Sequence, residues 1–130
     1  STASISMAAS VEALTGDQSF ITSHNESFLR RRDLVVKNLN ETPGISCRVP
    51  EGAFYVFASC KGVLGKKTES GKIIEADGDF MDYLLEEVGV AGVQGSAFGL
   101  DGFFRISYAT SDSILEDACQ RIKLACSKLS

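Results

Sequence analysis

The strongest constraint on the fold is a set of apolar residues that repeats at helical spacing near the end of the chain. The members of this stripe are Leu115, Ala118, Ile122, Ala125 and Leu129. Residues three and four positions apart share one face of an α-helix, so the stripe predicts an amphipathic helix from about Ser113. Ser113 and Glu116 fit a capping box at its start. An amphipathic helix buries its apolar face against a second layer, so the chain needs other elements to cover it.

The rest of the chain supplies those elements. Apolar spacing predicts further helices at residues 3–15, from Asp17 or Ser19 to about 40, and at residues 79–88. Short apolar runs bounded by turn residues predict strands at residues 45–49, 53–57, 90–93 and 103–109. Residues 61–77 are polar and aperiodic, which predicts a surface loop. Helices at both ends with short strands between them indicate one helical layer on a small sheet.

Composition narrows the possible partners. At 130 residues the chain is one domain or part of one, and its net charge of −4 argues against nucleic acid as the main partner. No apolar stretch has the length of a bilayer span, so no membrane partner is expected. The four cysteines lack CxxC spacing, and with a single histidine the chain offers few metal ligands, so we expect reduced thiols and no metal site.

Arg105 is the first candidate for a binding residue. It lies within the apolar run Phe103–Ala109, directly after the glycine-rich turn Gly95–Gly99. Alternation along a strand places Phe103, Arg105 and Ser107 on one face and Phe104 on the other. The planar guanidinium fork fits a carboxylate through two hydrogen bonds, which makes Arg105 a candidate for substrate binding. The alternative is a solvent-facing arginine on a sheet edge.

No segment forms a self-contained catalytic motif. Gly65-Lys66-Lys67-Thr68 does not fit a phosphate-binding P-loop, because Cys60 stands where the first glycine belongs and Lys67 where serine or threonine would follow the lysine. The serine of Gly95-Ser96-Ala97-Phe98-Gly99 directly follows the first glycine, so the turn is not a nucleophile elbow. We therefore expect no catalytic residue in this chain.

Several segments together resemble one protein family. They are the Ala- and Ser-rich residues 1–16, Arg31-Arg32-Asp33, Pro50-Glu51-Gly52-Ala53-Phe54-Tyr55, Gly89-Val90-Ala91, Gly95-Ser96-Ala97-Phe98-Gly99 and Phe104-Arg105-Ile106-Ser107-Tyr108-Ala109. The chain resembles the C-terminal small domain of class I aminotransferases that use pyridoxal phosphate, and within that class the bacterial-type aspartate aminotransferases. Gln94 departs from the pattern, because many relatives have proline there. The resemblance implies an α+β, two-layer fold of the fold-type I transferases, with a small, mostly antiparallel sheet covered by helices.

The same resemblance implies a function for a longer parent protein. Arg105 would bind the α-carboxylate of an amino acid or 2-oxo acid such as aspartate or 2-oxoglutarate. The lysine that holds pyridoxal 5′-phosphate belongs to a large domain absent from residues 1–130, so these residues would form a single domain with no cofactor site and no activity. The chain also begins without methionine, as expected of an excised piece. The parent would be a cytoplasmic homodimer that closes this domain over its substrate.

Two other functions fit the same residues. One is a small regulatory module that grips carboxylates through Arg105 without chemistry, which the missing cofactor lysine favours. The other is a related carbon–sulfur lyase or aminocyclopropane-carboxylate synthase, because these enzymes share the domain. Gly95 and Gly99 either shape the approach to the Arg105 strand or serve a purely structural turn.

Overall fold

The computed structural model describes residues 2–130. In that range the chain forms four α-helices and one three-stranded sheet. The elements in chain order are α1 (Ser4–Thr15), α2 (Phe20–Asn40), β1 (Tyr55–Ser59), α3 (Asp77–Val88), β2 (Val93–Gln94), β3 (Phe103–Ser107) and α4 (Asp112–Ser127). Two single turns of 3-10 helix, at Lys61–Val63 and Gly95–Phe98, connect them.

The sheet has the order β1-β3-β2, and both pairings are antiparallel. Strand β3 is therefore the central strand, with a hydrogen-bonded neighbour on each side. The register places Phe57 of β1 and Val93 of β2 opposite Arg105. The predicted α+β fold with a small antiparallel sheet is confirmed.

One face of the sheet forms the core with helices α2, α3 and α4. Val56, Ala58 and Phe104 point to this face, and each is fully buried. The helices contribute fully or almost fully buried apolar side chains to the same cluster, among them Val35, Leu39, Phe80, Leu84 and Ile122. The rings of Phe80 and Phe104 meet edge to face at 5.6 Å between centroids. The period-two alternation of β1 and β3 thus separates a covered face from an open one.

Two predicted strands differ from the structure. Residues 45–49 form no strand and contribute only a bridge between Ser46 and Ser59. The side chain of Asn40 explains this, because its amide donates to Cys47 O at 2.9 Å and accepts from Cys47 N at 2.8 Å. The backbone groups that a neighbouring strand would pair are thereby satisfied. The strand predicted at 53–57 begins instead at Tyr55, because Ala53 has a positive φ of 61° that no strand residue adopts.

Other boundaries shift for local reasons. The strand predicted at 90–93 is confined to Val93–Gln94, and β3 ends at Ser107 instead of Ala109. Helix α4 is capped by Ser111, whose hydroxyl accepts from Ile114 N at 3.4 Å, so the capping box predicted at Ser113 is wrong. Ser111 has an extended backbone conformation directly before α4, which is typical of a residue that caps the free N–H groups of the first helical turn.

The segment predicted as a surface loop, residues 61–77, is partly internal. Val63, Thr68, Ile74 and Asp77 are buried within it. Lys67 and Ile73 form an isolated antiparallel bridge, and Lys67 also exchanges backbone hydrogen bonds with Ser130. The segment therefore closes one end of the core, and α3 begins two residues earlier than predicted. The Asp79 carboxylate accepts from Ala76 N at 3.0 Å and so secures that earlier start.

Candidate functional site

Arg105 occupies the centre of the open sheet face. Arg105 belongs to the middle strand, so the sheet-edge position in the alternative interpretation is wrong. Its sequence neighbours Phe104 and Ile106 point toward the helices, while Phe103 and Ser107 share its face. The side chain is half-buried. The predicted alternation is confirmed, and it places a cation on the one face of the sheet that no helix among residues 2–130 covers.

Two aromatic rings contact the guanidinium. The Arg105 Cζ atom lies over the Tyr55 ring at 4.5 Å from its centroid and over the Phe98 ring at the same distance of 4.5 Å. Tyr55 belongs to β1, and Phe98 to the 3-10 turn that follows β2, so the rings come from elements on opposite sides of β3. A cation within about 6 Å of a ring centroid is attracted by the ring's negative face. Sequence reasoning missed both aromatic contacts.

No carboxylate neutralises Arg105 among the residues that the structure describes. The acidic partners of the other cations include Asp112, which accepts from Arg30 at 2.8 Å and from Arg31 at 2.9 Å. None of the ion pairs within residues 2–130 involves Arg105. Its N–H donors are therefore available to an anion that arrives from outside this chain.

A shallow groove of about 230 Å³ opens beside the guanidinium. It is lined by Tyr55, residues 91–93 and residues 105–107. Three larger clefts do not include Arg105: one of about 330 Å³ near Tyr108, one of about 610 Å³ near Phe103 and one of about 420 Å³ beside Asp77 and Asp101. The groove combines one cation with small and aromatic neighbours, which suits the carboxylate end of a small molecule.

The turn that carries Phe98 is fixed by a buried carboxylate. Asp77 is 2% exposed, and it accepts a hydrogen bond from Ser96 N at 2.8 Å. Burial raises the pKa of Asp77, but hydrogen bonds from the backbones of Ser96, Gly78 and Gly102 outweigh it and hold that pKa below its ordinary value. Sequence reasoning assigned Asp77 to a surface loop. Its place at the start of a helical pattern was the available signal.

The turn requires both of its glycines. A Cβ atom on Gly95 would collide with Leu100 O and lie 2.8 Å from Phe103 Cβ. Gly99 has a φ of +78°, the left-handed region in which glycine is favoured. The glycines therefore let the chain reverse tightly between β2 and β3, in agreement with their structural interpretation.

The other contact, Tyr55, is fixed by a hydrogen-bonded corner. Tyr108 is 2% exposed, and its hydroxyl donates to Ala53 O at 2.9 Å. Its backbone N–H donates to Phe54 O, also at 2.9 Å. Ala53 itself holds the positive φ of 61°. These bonds fasten the start of β1 to the end of β3, and burial raises the pKa of the Tyr108 hydroxyl.

Other possible functional groups lie away from this groove. None of the lysines lines it, and Lys66, Lys72, Lys123 and Lys128 contact carboxylates or backbone oxygens elsewhere. The four cysteines are free and buried, and burial raises the pKa of Cys126 to about 12. His24 is exposed beside Phe20. Within residues 2–130, no group of acidic, histidine and cysteine side chains has a metal-binding arrangement, and no helix is both long and apolar enough to span a membrane.

Comparison with known proteins gives consistent matches. Residues 1–122 match the family described as aminotransferase class I and II. The chain is 62% identical over 127 residues to an aspartate aminotransferase of Rhizobium meliloti (strain 1021), covering 98% of this chain and 31% of that protein. It is 53% identical over 126 residues to a probable aspartate/prephenate aminotransferase of Rickettsia prowazekii (strain Madrid E), covering 97% of this chain and 32% of that protein. The chain thus spans about a third of the length of these curated relatives.

Solved structures agree with the sequence matches. The crystal structure of the Rhizobium meliloti aspartate aminotransferase superimposes with a TM-score of 0.95 at 62% identity, over 98% of this chain and 32% of that one. An alanine aminotransferase from Pyrococcus furiosus superimposes with a TM-score of 0.78 at 32% identity, over 89% and 28%. The three-stranded sheet and its helices are therefore shared with both proteins.

Proposed function

Because the chain belongs to the class I and II aminotransferase family, we propose that it is the C-terminal small domain of a longer aminotransferase. Residues 1–130 act in this proposal as a single domain. The parent enzyme moves an amino group between an amino acid such as aspartate and 2-oxoglutarate. The observation that carries the proposal is the guanidinium of Arg105, which stands beside an open groove with no carboxylate partner in residues 2–130.

In this proposal Arg105 binds the α-carboxylate of the substrate. A guanidinium stays charged at any physiological pH and presents parallel N–H donors, so it can hold both carboxylate oxygens in one plane. Arg105 orients the substrate and takes no part in proton transfer. Its place on the rigid central strand supports such a role, because a fixed donor pair limits rotation of the bound acid.

The cofactor of the parent enzyme belongs elsewhere in the longer protein. Pyridoxal 5′-phosphate supplies the electron sink for amino-group transfer when it is bound. The residues of this chain do not fit that group, because no lysine among them lines the groove beside Arg105.

We expect the isolated chain to be inactive and to take up no cofactor. An absorbance band near the visible edge that survives gel filtration and disappears with borohydride would contradict this.

The exposed apolar side chains of helix α1 support the proposal that this domain packs against another part of the longer enzyme. Ile5, Met7, Val11 and Leu14 are each between 58% and 83% exposed, and α1 buries none of its residues. An apolar face of this kind usually marks an interaction surface.

In the proposal the parent is a cytoplasmic homodimer, and its small-molecule partners are an amino acid and a 2-oxo acid.

Aspartate and prephenate are the substrates to test first. Relatives at 50–59% identity carry the name aspartate/prephenate aminotransferase, some of them as probable assignments. The experiment is an assay of the full-length protein with pyridoxal phosphate, aspartate and 2-oxoglutarate, followed by prephenate as acceptor with glutamate or aspartate as donor. We expect oxaloacetate from the first mixture.

The same assay separates the rival functions. Release of sulfide or thiol from a sulfur amino acid without amino transfer would show a carbon–sulfur lyase. Carboxylate binding without turnover of any substrate would show a binding module. Either result would overturn the proposed function.

A further inference from the structure

Two aromatic rings, Tyr55 and Phe98, lie beside Arg105. We propose that Tyr55 and Phe98 are positioning residues, which hold the guanidinium plane of Arg105 so that a substrate carboxylate meets two of its N–H donors at once. This inference rests on the proposed function of Arg105. Both rings lie 4.5 Å from Arg105 Cζ, and both present a face to it.

Arg105 needs such support because nothing else in residues 2–130 fixes its head group. It forms no ion pair there, and it projects from an open sheet face. A free arginine side chain has many rotamers, and ordering it on each binding event costs conformational entropy. Contacts that restrict the guanidinium before the substrate arrives reduce that cost.

The aromatic contacts and the carboxylate do not compete for the same part of the guanidinium. Ring faces attract the flat sides of the cation, whereas a carboxylate binds at the edge, in the plane of the N–H bonds. Arg105 Cζ lies over the Tyr55 and Phe98 rings, and Arg105 also lines the groove through which a carboxylate would reach the guanidinium. The arrangement therefore favours paired hydrogen bonds over a single tilted one.

Both rings are themselves held in place. Phe98 contacts the Phe57 ring edge to face at 6.0 Å, and its turn is fastened by the bond from Ser96 N to Asp77. Tyr55 lies against Phe54 at 4.3 Å, directly after the corner that Tyr108 secures. A positioning group has to be held by contacts of its own, and each ring has such contacts.

The test uses the full-length enzyme with Tyr55→Leu and Phe98→Leu. Each variant should lower kcat/KM for aspartate by about 2- to 30-fold, the range that a single cation–ring contact supports. Tyr55→Phe keeps the ring face and should stay within about twofold of the original enzyme. Phe103→Leu is the matched control, because Phe103 lies on the same strand and face but contacts Phe57 and Lys61. Its effect on kcat/KM should stay below about twofold, because Phe103 reaches Phe98 through Phe57 and does not itself lie over the guanidinium.

A double-variant cycle separates positioning from general stability. In an Arg105→Lys background, Tyr55→Leu should change kcat/KM by less than about twofold, because no guanidinium plane remains to be oriented. An undiminished loss in that background, or an equal loss in Phe103→Leu, would overturn the positioning role. If Arg105→Lys impairs the enzyme but Tyr55→Leu and Phe98→Leu both keep full activity, the positioning role is overturned. The proposed function of Arg105 survives that result. An unaltered enzyme without transaminase activity would overturn both.

Discussion

At the scale of single residues, the charged side chain of Arg105 lies among aromatic side chains on the open face of the sheet. Arg105 is flanked by Tyr55 and Phe98 and lies opposite Phe57 in the register. Guanidinium is weakly hydrated and stacks on aromatic faces, so half-burial among rings costs it less than it would cost an ammonium group. An anion that enters the groove therefore meets a charge that is already partly desolvated, which strengthens the attraction.

The hydroxyl of Tyr108 should contribute measurably to stability. Tyr108→Phe removes the hydrogen bond to Ala53 O, at the residue that holds a positive φ of 61°. Loss of the bond, with a carbonyl left unpaired, should lower the free energy of unfolding by about 1–2 kcal/mol. Urea unfolding measures this, with Tyr55→Phe as the control on the half-buried ring nearby. Equal stability of Tyr108→Phe and the original protein would show that the corner does not depend on the hydroxyl.

At the scale of elements, helix α3 and the 3-10 turn form one unit through Asp77. The carboxylate lies in the first turn of α3, where the helix dipole favours negative charge, and it accepts from Ser96 N of the turn. The Phe98 ring is two residues further along that turn. A change at Asp77 therefore reaches Arg105 through the backbone, without any direct contact between them.

Asp77→Asn should destabilise the protein in a pH-dependent way. The folded-state pKa of Asp77 lies below its ordinary value of 3.8, so ionisation stabilises the folded state above pH 3.8. That stabilisation is lost as the pH falls through the lower, folded-state pKa. At neutral pH the variant should lose about 1–3 kcal/mol of unfolding free energy, and the deficit should shrink below pH 3.8.

Urea unfolding across the acidic range measures the effect. Asp101→Asn is the control, because Asp101 is an exposed carboxylate that lines the same cleft of about 420 Å³ as Asp77. A deficit of Asp77→Asn that is constant over the whole pH range would show that the charge of Asp77 contributes nothing.

The elements also show which parts of the fold the sequence predicts. The face of Arg105 follows from alternation within one strand, and all four helices follow from local periodicity. The failures are contacts between distant segments. The amide of Asn40 replaces a strand partner for Cys47, and Asp77 binds a turn that lies 19 residues further along. Tyr55 meets Arg105 only because β1 pairs with β3. Local patterns carry no information on such pairings.

At the scale of the whole molecule, the core and the N-terminal helix differ sharply. Helices α2, α3 and α4 share one buried cluster with the sheet, whereas α1 and Phe20 and Ile21 at the start of α2 expose their apolar side chains. The cluster is continuous, and the local patterns agree with it, which favours folding without a partner. The exposed helix gains no such support.

The isolated chain should therefore fold, with α1 as its least stable part. Circular dichroism should show helical signal and a cooperative melt. Limited proteolysis should cut first within residues 4–15, because a helix of 12 residues without tertiary packing is marginal in water. A random-coil spectrum without a melt would show that the core requires the rest of the longer protein.

The most direct test of the central claim is the activity of the full-length enzyme with Arg105→Lys. Lysine keeps the charge but loses the planar fork, so paired hydrogen bonding to the α-carboxylate is lost. Disruption of such a pair costs about 2–5 kcal/mol, which corresponds to roughly 30- to 4,000-fold in kcat/KM. The account predicts a similar loss for every amino-acid substrate, because all share the α-carboxylate, with little change in stability. An unchanged kcat/KM would contradict the account, and a loss confined to dicarboxylic substrates would assign Arg105 to the distal carboxylate instead.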